Sequence, residues 1–385
     1  MNSEEPVEVE VSNQEQIEIK EKRAREIANG GVFENIVEDL FDEKLLEGCI
    51  EKTKEDFGAR IKNAHFEAKE KDWEILTAIR LFHLDTAEHC VRTLEILSHK
   101  IHETLTRPDG GSVNLDTNII AENITIEEFL RAALLHDVGK IIVPRSILDN
   151  PLSNTNWWQV LSLAINSEGE DSDLIRNHIA KLSGAPFNID TYRKDLDSHD
   201  VRPIQVCPVD VILPPEDISD LAKRGFTKEN TILEIIMAHE EESRRILEAS
   251  GFPVEAKLAS MHHNYLHRDI GGQNSSVEAL RVGADVVGIS MADIIHLADV
   301  TDALVSSRSY KGPMPISKVL TILIQHANSG KVGKEMTYMW IKSELSKNKI
   351  SEDEKMQFAD DFKEINLFLS KQEKEAQVEF MAEAA

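Results

Sequence analysis

Ala132-Ala133-Leu134-Leu135-His136-Asp137-Val138-Gly139-Lys140 is an apolar run that ends in an imidazole beside a carboxylate, with Gly and Lys close behind. The run predicts a buried helix, and its end predicts a place where two ligand side chains stand together. His89, His239, His262-His263 and Asp299 supply more of the same side-chain types. Imidazole nitrogen and carboxylate oxygen suit Fe, Mn, Co, Ni or Zn, whereas a structural zinc site more often shows paired cysteines. Only Cys49, Cys90 and Cys207 are present, which argues against a thiolate cluster.

His199-Asp200 shows how little the dipeptide says alone. It lies in the polar run Asp195-Leu196-Asp197-Ser198-His199-Asp200, without an apolar helix before it or Gly-Lys after it, and reads as a solvated loop. The other positions each have a plainer reading as well. His89 shares helical periodicity with Val91, Leu94 and Leu97 and reads equally as a core histidine; His262-His263 reads as a surface pair, and Asp299 or Asp302 as a helix brace. Accidents at all of these positions together are a poorer explanation than a metal site.

The array resembles the HD superfamily of metal-dependent phosphohydrolases, and within it the HD-GYP cyclic-dinucleotide phosphodiesterases, over most of residues 75–335. Asp85-Thr86-Ala87-Glu88-His89-Cys90-Val91-Arg92 is similar to the family's opening helix, and His136-Asp137-Val138-Gly139-Lys140-Ile141-Ile142-Val143-Pro144 to its HD segment. Ile236-Met237-Ala238-His239 with Ser243 resembles the helix of the third His, and His262-His263 the family's His pair. Ala298-Asp299-Val300-Thr301-Asp302-Ala303-Leu304, then Ser307-Arg308-Ser309-Tyr310-Lys311, resembles the last metal helix and the phosphate-binding turn.

The resemblance implies a mainly α fold: an HD-GYP-like helical bundle with a large insertion and a helical N-terminal region. It implies Asp85, His89, His136, Asp137, His239, His262, His263 and Asp299 as ligands to two or three divalent transition metals, iron or manganese, with Asp137 bridging. Asp137 and Lys140 would be catalytic, and Lys140, Arg308 and Lys311 would hold substrate phosphates. Paired ions of this kind lower the pKa of water and stabilise charge on a phosphate under attack. The implied substrate is cyclic di-GMP or another small nucleotide phosphodiester. Two departures stand out: Asn264-Tyr265-Leu266 follows His262-His263 where the family has Gly-Tyr-Pro, and a long insertion separates Asp137 from His239.

A formal net charge of −26 argues against binding long nucleic acid and means that an anionic substrate needs local cations. Aromatic residues are only 5%, which suits an aliphatic helical core. No run approaches the roughly 20 apolar residues of a membrane span, Met1-Asn2-Ser3-Glu4-Glu5 lacks a signal pattern, and the sparse cysteines fit a reducing cytoplasm.

The expected organisation is an acidic mobile tail (1–30), an N-terminal helical region (31–74), the first part of the HD-GYP-like domain (75–150), an inserted subdomain (151–230), the second part (231–345) and an acidic helical tail (346–385). The first 50 residues hold 14 acidic and 5 basic side chains, and Phe33, Ile36, Leu40, Leu45 and Leu46 then recur near helical spacing. That helix predicts either a homodimer or protein partner surface or, more simply, packing on the core. The insertion, with Trp157-Trp158, could also dock a partner. The alternative function is a catalytically inactive signalling or scaffold protein that keeps the fold and binds a nucleotide or a protein partner.

Overall fold

The aliphatic periodicity of the chain folds as helix. Among the described residues the strands are two short antiparallel ribbons, Thr104–Thr106 with Ser112–Asn114 and Ala279–Val282 with Asp285–Ser290. The structure, a computed structural model, describes residues 16–20, 22–23, 41–114, 124–148, 176, 188, 209, 215–263, 279–282, 285–306, 313–347 and 350–383. Most of the inserted subdomain and of the N-terminal tail therefore lies outside the described residues, as do Arg308, Lys311 and the segment 264–278. None of the described helices is long and apolar enough to cross a membrane.

The described helices include α1 (Cys49–Asn63), α2 (Glu70–Phe82), α3 (Leu84–Ile101), α4 (Ile126–Leu135), α5 (Ile232–Met237), α6 (His239–Ala249), α7 (Pro253–Ala259), α8 (Met291–Val305), α9 (Ile316–Asn328), α10 (Lys334–Lys347) and α11 (Ala359–Glu383). Helix α3 packs on α2, α4 and α8, while α6 packs on α7 and on the 3-10 turn Val138–Ile142, and α7 on α4. Every residue of α8 from Met291 to Asp299 is buried. A helix buried on all sides belongs in the middle of a domain, and any polar side chain on it needs a partner there.

Helix α1 packs on α2 and α3 through buried Phe57 and Ile61, and Leu45 and Leu46 before it are buried too, so this apolar face belongs to the core. Phe33, Ile36 and Leu40 lie outside the described residues. At the other end, α11 lies on α9 and α10 through Ile365, Phe368 and Leu369, and most of its acidic side chains are exposed or half-buried.

One buried cation ties three of these helices together. The Arg131 guanidinium of α4 donates to Asp72 of α2 at 2.8 Å, to Glu255 of α7 at 2.9 Å and to Glu127 at 2.6 Å. Asp72 and Glu255 are both almost fully buried, so each depends on this counter-charge. Arg131→Met should cost about 3–5 kcal/mol, because it leaves those carboxylates buried without a cation. The midpoint of urea unfolding measures this, and an unchanged midpoint would show that the arginine ties nothing together.

Candidate metal centre

Helix α4 starts at a capping box: Glu128 N–H donates to Thr125 Oγ1 at 3.1 Å and Thr125 N–H donates to Glu128 Oε2 at 2.7 Å. From there Phe129 to Leu135 are all buried, so the helix runs into the core and delivers His136 at its C-terminal end. Asp137 follows at the head of the 3-10 turn, and neither residue is exposed to solvent.

The turn can lie against α6 only because residue 139 is glycine. A Cβ there would sit 2.5 Å from Ser243 N and 2.8 Å from Ser243 Oγ, and closer still to the His239 carbonyl oxygen. Across this contact the Gly139 N–H donates to Ser243 Oγ at 2.8 Å, and the Ser243 hydroxyl donates to the His136 carbonyl at 2.7 Å. His239 is the first residue of α6, just past a break at Ala238, and is thereby brought beside Asp137. His262 and His263 lie in the turn that follows α7.

Three of the histidines use one local device. The Nδ1 atoms of His136, His239 and His262 meet the carbonyl oxygens of Ala133 (2.8 Å), Ile236 and Ala259 (2.5 Å), each three residues earlier. A carbonyl only accepts, so each Nδ1 carries the hydrogen and the neutral ring presents its lone pair at Nε2. Burial pushes all three rings below the usual histidine range, His239 to about 4. His239 Nε2 then faces His262 Nε2 at 3.5 Å, lone pair toward lone pair. His136 Nε2 and Asp137 Oδ1 are buried without a hydrogen-bond partner. Native interiors leave few polar atoms in that condition, and a bound cation satisfies all of them.

The two carboxylates divide their oxygens among these rings. Asp137 Oδ1 lies 3.3 Å from His239 Nε2, while Oδ2 lies 3.4 Å from His136 Nε2 and 3.6 Å from His89 Nε2. Lys140 Nζ also contacts Asp137 Oδ2. Asp299 Oδ1 is 2.8 Å from His89 Nε2, and its Oδ2 is 3.4 Å from His263 Nε2. Burial alone would raise both carboxyls, but the surrounding imidazoles hold each well below the ordinary carboxylate range, helped at Asp137 by Lys140.

His89 is oriented by tertiary contacts instead. Its Nδ1 lies 2.6 Å from Asp302 Oδ2, and Asp302 also accepts from Arg92 Nε at 2.7 Å and Ser306 Oγ at 2.7 Å. Burial opposes charge on Asp302, yet His89, Arg92 and Ser306 bring its carboxyl down to about 2. A carboxylate behind a ligating imidazole fixes the ring and raises its basicity.

His89, His136, Asp137, His239, His262, His263 and Asp299 therefore come together from distant parts of the chain. Their ligand atoms form overlapping groups, His89–His136–Asp299, His136–Asp137–His262 and His239–His262–His263, each within 4.8 Å internally. Asp85 does not join them: it is exposed on the first turn of α3 and belongs to none of these groups. Lys140 is beside Asp137, and Arg308 and Lys311 lie outside the described residues.

Sequence reasoning did not reach three side chains that face this centre. Glu240 accepts the His263 N–H at 2.8 Å, and burial raises its carboxyl to about 7. Its only signal was adjacency to His239, blurred by Glu241 and Glu242. His296 and His326, whose rings stack at 5.3 Å, sit in apolar helices whose periodicity reads as core.

The family model of the HD domain matches residues 86–207. The match supports the HD superfamily of metal-dependent phosphohydrolases and spans His89, His136 and Asp137. Neither the curated proteins nor the solved structures contain a significant match to the chain.

Gly139→Ala should force the turn away from α6, costing about 1–3 kcal/mol as overpacking does and separating His136 and Asp137 from His239. Elemental analysis should find less bound metal, together with a lower unfolding midpoint. Unchanged metal content and midpoint would mean that the close approach does not position the ligands.

Proposed function

We propose that the chain is a metal-dependent phosphodiesterase that hydrolyses cyclic di-GMP, a related cyclic dinucleotide or another small nucleotide phosphodiester. The observation that carries this reading is the convergence of unprotonated ring nitrogens and carboxylate oxygens in a buried site, with His239 Nε2 and His262 Nε2 face to face at 3.5 Å. The HD domain match points to the same class, metal-dependent phosphohydrolase activity. We assign metal ligation to His89, His136, Asp137, His239, His262, His263 and Asp299, and this donor set suits iron or manganese. Divalent ions bound there would supply nucleophilic water at neutral pH and balance charge on a phosphoryl group under attack.

The protein's own groups have separable tasks in this reading. Asp137 turns one oxygen to His239 and the other to His136 and His89, so it reaches both halves of the ligand set. Lys140, whose side chain is 15% exposed and contacts the fully buried Asp137, is assigned to an anionic phosphate oxygen. In a chain of net charge −26 such a cation matters, because the long-range field repels an anion. Arg308 and Lys311 are assigned to the same task by their place in the HD-GYP-like turn. Asp302 positions the His89 ring and Glu240 the His263 backbone.

We place the protein in the reducing cytoplasm on its sparse cysteines, Cys49, Cys90 and Cys207, which follow no pairing pattern. Because Asn264-Tyr265-Leu266 replaces Gly-Tyr-Pro, an aryl phosphodiester belongs beside the cyclic dinucleotides in the assay.

The double variant His136→Ala, Asp137→Ala should lose both bound metal and turnover. Lys140→Ala should retain metal while kcat falls by about a hundredfold, the usual scale for one lost electrostatic contact to a reacting group. A wild-type chain with a full metal complement and no hydrolysis of cyclic di-GMP, cyclic mononucleotides or an aryl phosphodiester would overturn the reading. It would favour a signalling protein that binds its ligand without turnover.

A further inference from the structure

Helix α8 carries four buried polar side chains at three-residue spacing, Asp293, His296, Asp299 and Asp302, of which the last three adjoin the ligand set. Residues three apart on a helix share a face, so these form one stripe toward the ligand set. Asp302 serves His89 at one end of the stripe and Asp299 serves the middle. His296, only 2% exposed, stands next to Asp299 on the stripe and has no part in the site as assigned so far, while Asp293 beyond it accepts the Gly333 N–H at 3.0 Å.

We infer that His263, Asp299 and His296 hold a divalent ion of their own, beside those of the main ligand set. This rests on the metal-centre reading above. The ligand atoms of these three residues lie within 4.8 Å of one another. Asp299 is suited to serve both places, since its Oδ1 points to His89 and its Oδ2 lies 3.4 Å from His263 Nε2 on the other side. The ring of His263 stands perpendicular to that of His296 with centroids 5.6 Å apart, so the rings do not stack and a shared ion can lie between them. Two imidazoles and one carboxylate, with positions left for water or substrate, suit a first-row transition metal.

His326 of α9 is the positioning residue. Its Nδ1 lies 3.0 Å from His296 Nε2, so one nitrogen donates to the other and the His296 ring is held in place. An imidazole fixed through one nitrogen is the usual form of a metal-ligating histidine. Asp85 is exposed on the first turn of α3 and belongs to none of the ligand groups, whereas His296 belongs to one, so an ion beyond the main set finds its donors on α8.

The test is a metal count on full-length protein purified without oxygen, followed by Mn2+ titration of the metal-stripped chain. Wild type is compared with His296→Ala, His296→Gln and His326→Phe, with helical circular dichroism recorded for each. The expected result is that both His296 variants keep wild-type helicity and lose one ion per chain while retaining the rest. His326→Phe should weaken the last Mn2+ to bind by about tenfold to a hundredfold, as loss of a ring-fixing partner does. If His296→Ala unfolds, His296→Gln decides alone, because it preserves bulk and polarity. A wild-type metal count and titration in a folded His296 variant would overturn this inference and leave the main site intact. A folded wild-type chain that binds no metal would overturn both.

Discussion

At Gly139 the backbone that follows Asp137 touches the first turn of α6, and Ser243 converts that touch into two hydrogen bonds. The His136 carbonyl is at one end of the link and the Gly139 amide at the other, so both HD residues are tied to the helix that begins with His239. Gly139 and Ser243 are 104 residues apart, so the contact is where two distant parts of the chain are brought together. Any side chain at residue 139 would push the parts apart, and with them the ligand atoms. Arg131 does comparable work on the other side of α4, where it binds α2 and α7 to the helix that carries His136.

The electrostatics of the site run against those of the whole molecule. The chain is strongly acidic, yet it gathers a largely buried cluster of imidazoles around two carboxylates. Burial favours the neutral form of His136, His239, His262 and His263; at His89 burial is outweighed by the hydrogen bonds to Asp299 and Asp302, which raise the ring, and the carboxyls of Asp137 and Asp299 are held low against burial. Neutral nitrogen and charged oxygen are the states that a divalent cation binds without first displacing a proton. The molecule thus concentrates donor lone pairs where it cannot solvate them, and that cost is offset when a cation is bound.

The residues differ in how far local sequence determines their state. His136, His239 and His262 each bond the carbonyl three residues back, a geometry that a helix end makes available anywhere. Before His136 and His239 an apolar stretch closes on the histidine, so this local geometry is legible in the sequence. His89 has no such local partner; its orientation comes from Asp302 and Asp299, more than two hundred residues away, so its helical periodicity read equally well as core. Asp85 and His89 are four residues apart on α3 and share a face in sequence terms, but Asp85 on the first turn is exposed while Thr86 and Ala87 beside it are buried. His296 was hidden by Ile294, Ile295 and Leu297, since a helix buried on all sides has no polar face against which a single histidine would stand out.

By itself the sequence determined that the chain is helical and aliphatic, that α4 ends in His136-Asp137, and that the donors are imidazole and carboxylate rather than thiolate. Those properties depend on composition, periodicity and neighbours within a turn or two, which are local quantities. Only the tertiary structure decided which donors meet, which oxygen of Asp137 or Asp299 faces which ring, and that Glu240, His296 and His326 stand at the site while Asp85 stands outside it. These outcomes depend on distances of a few ångströms between segments far apart in the chain, and such distances are set by how the helices pack.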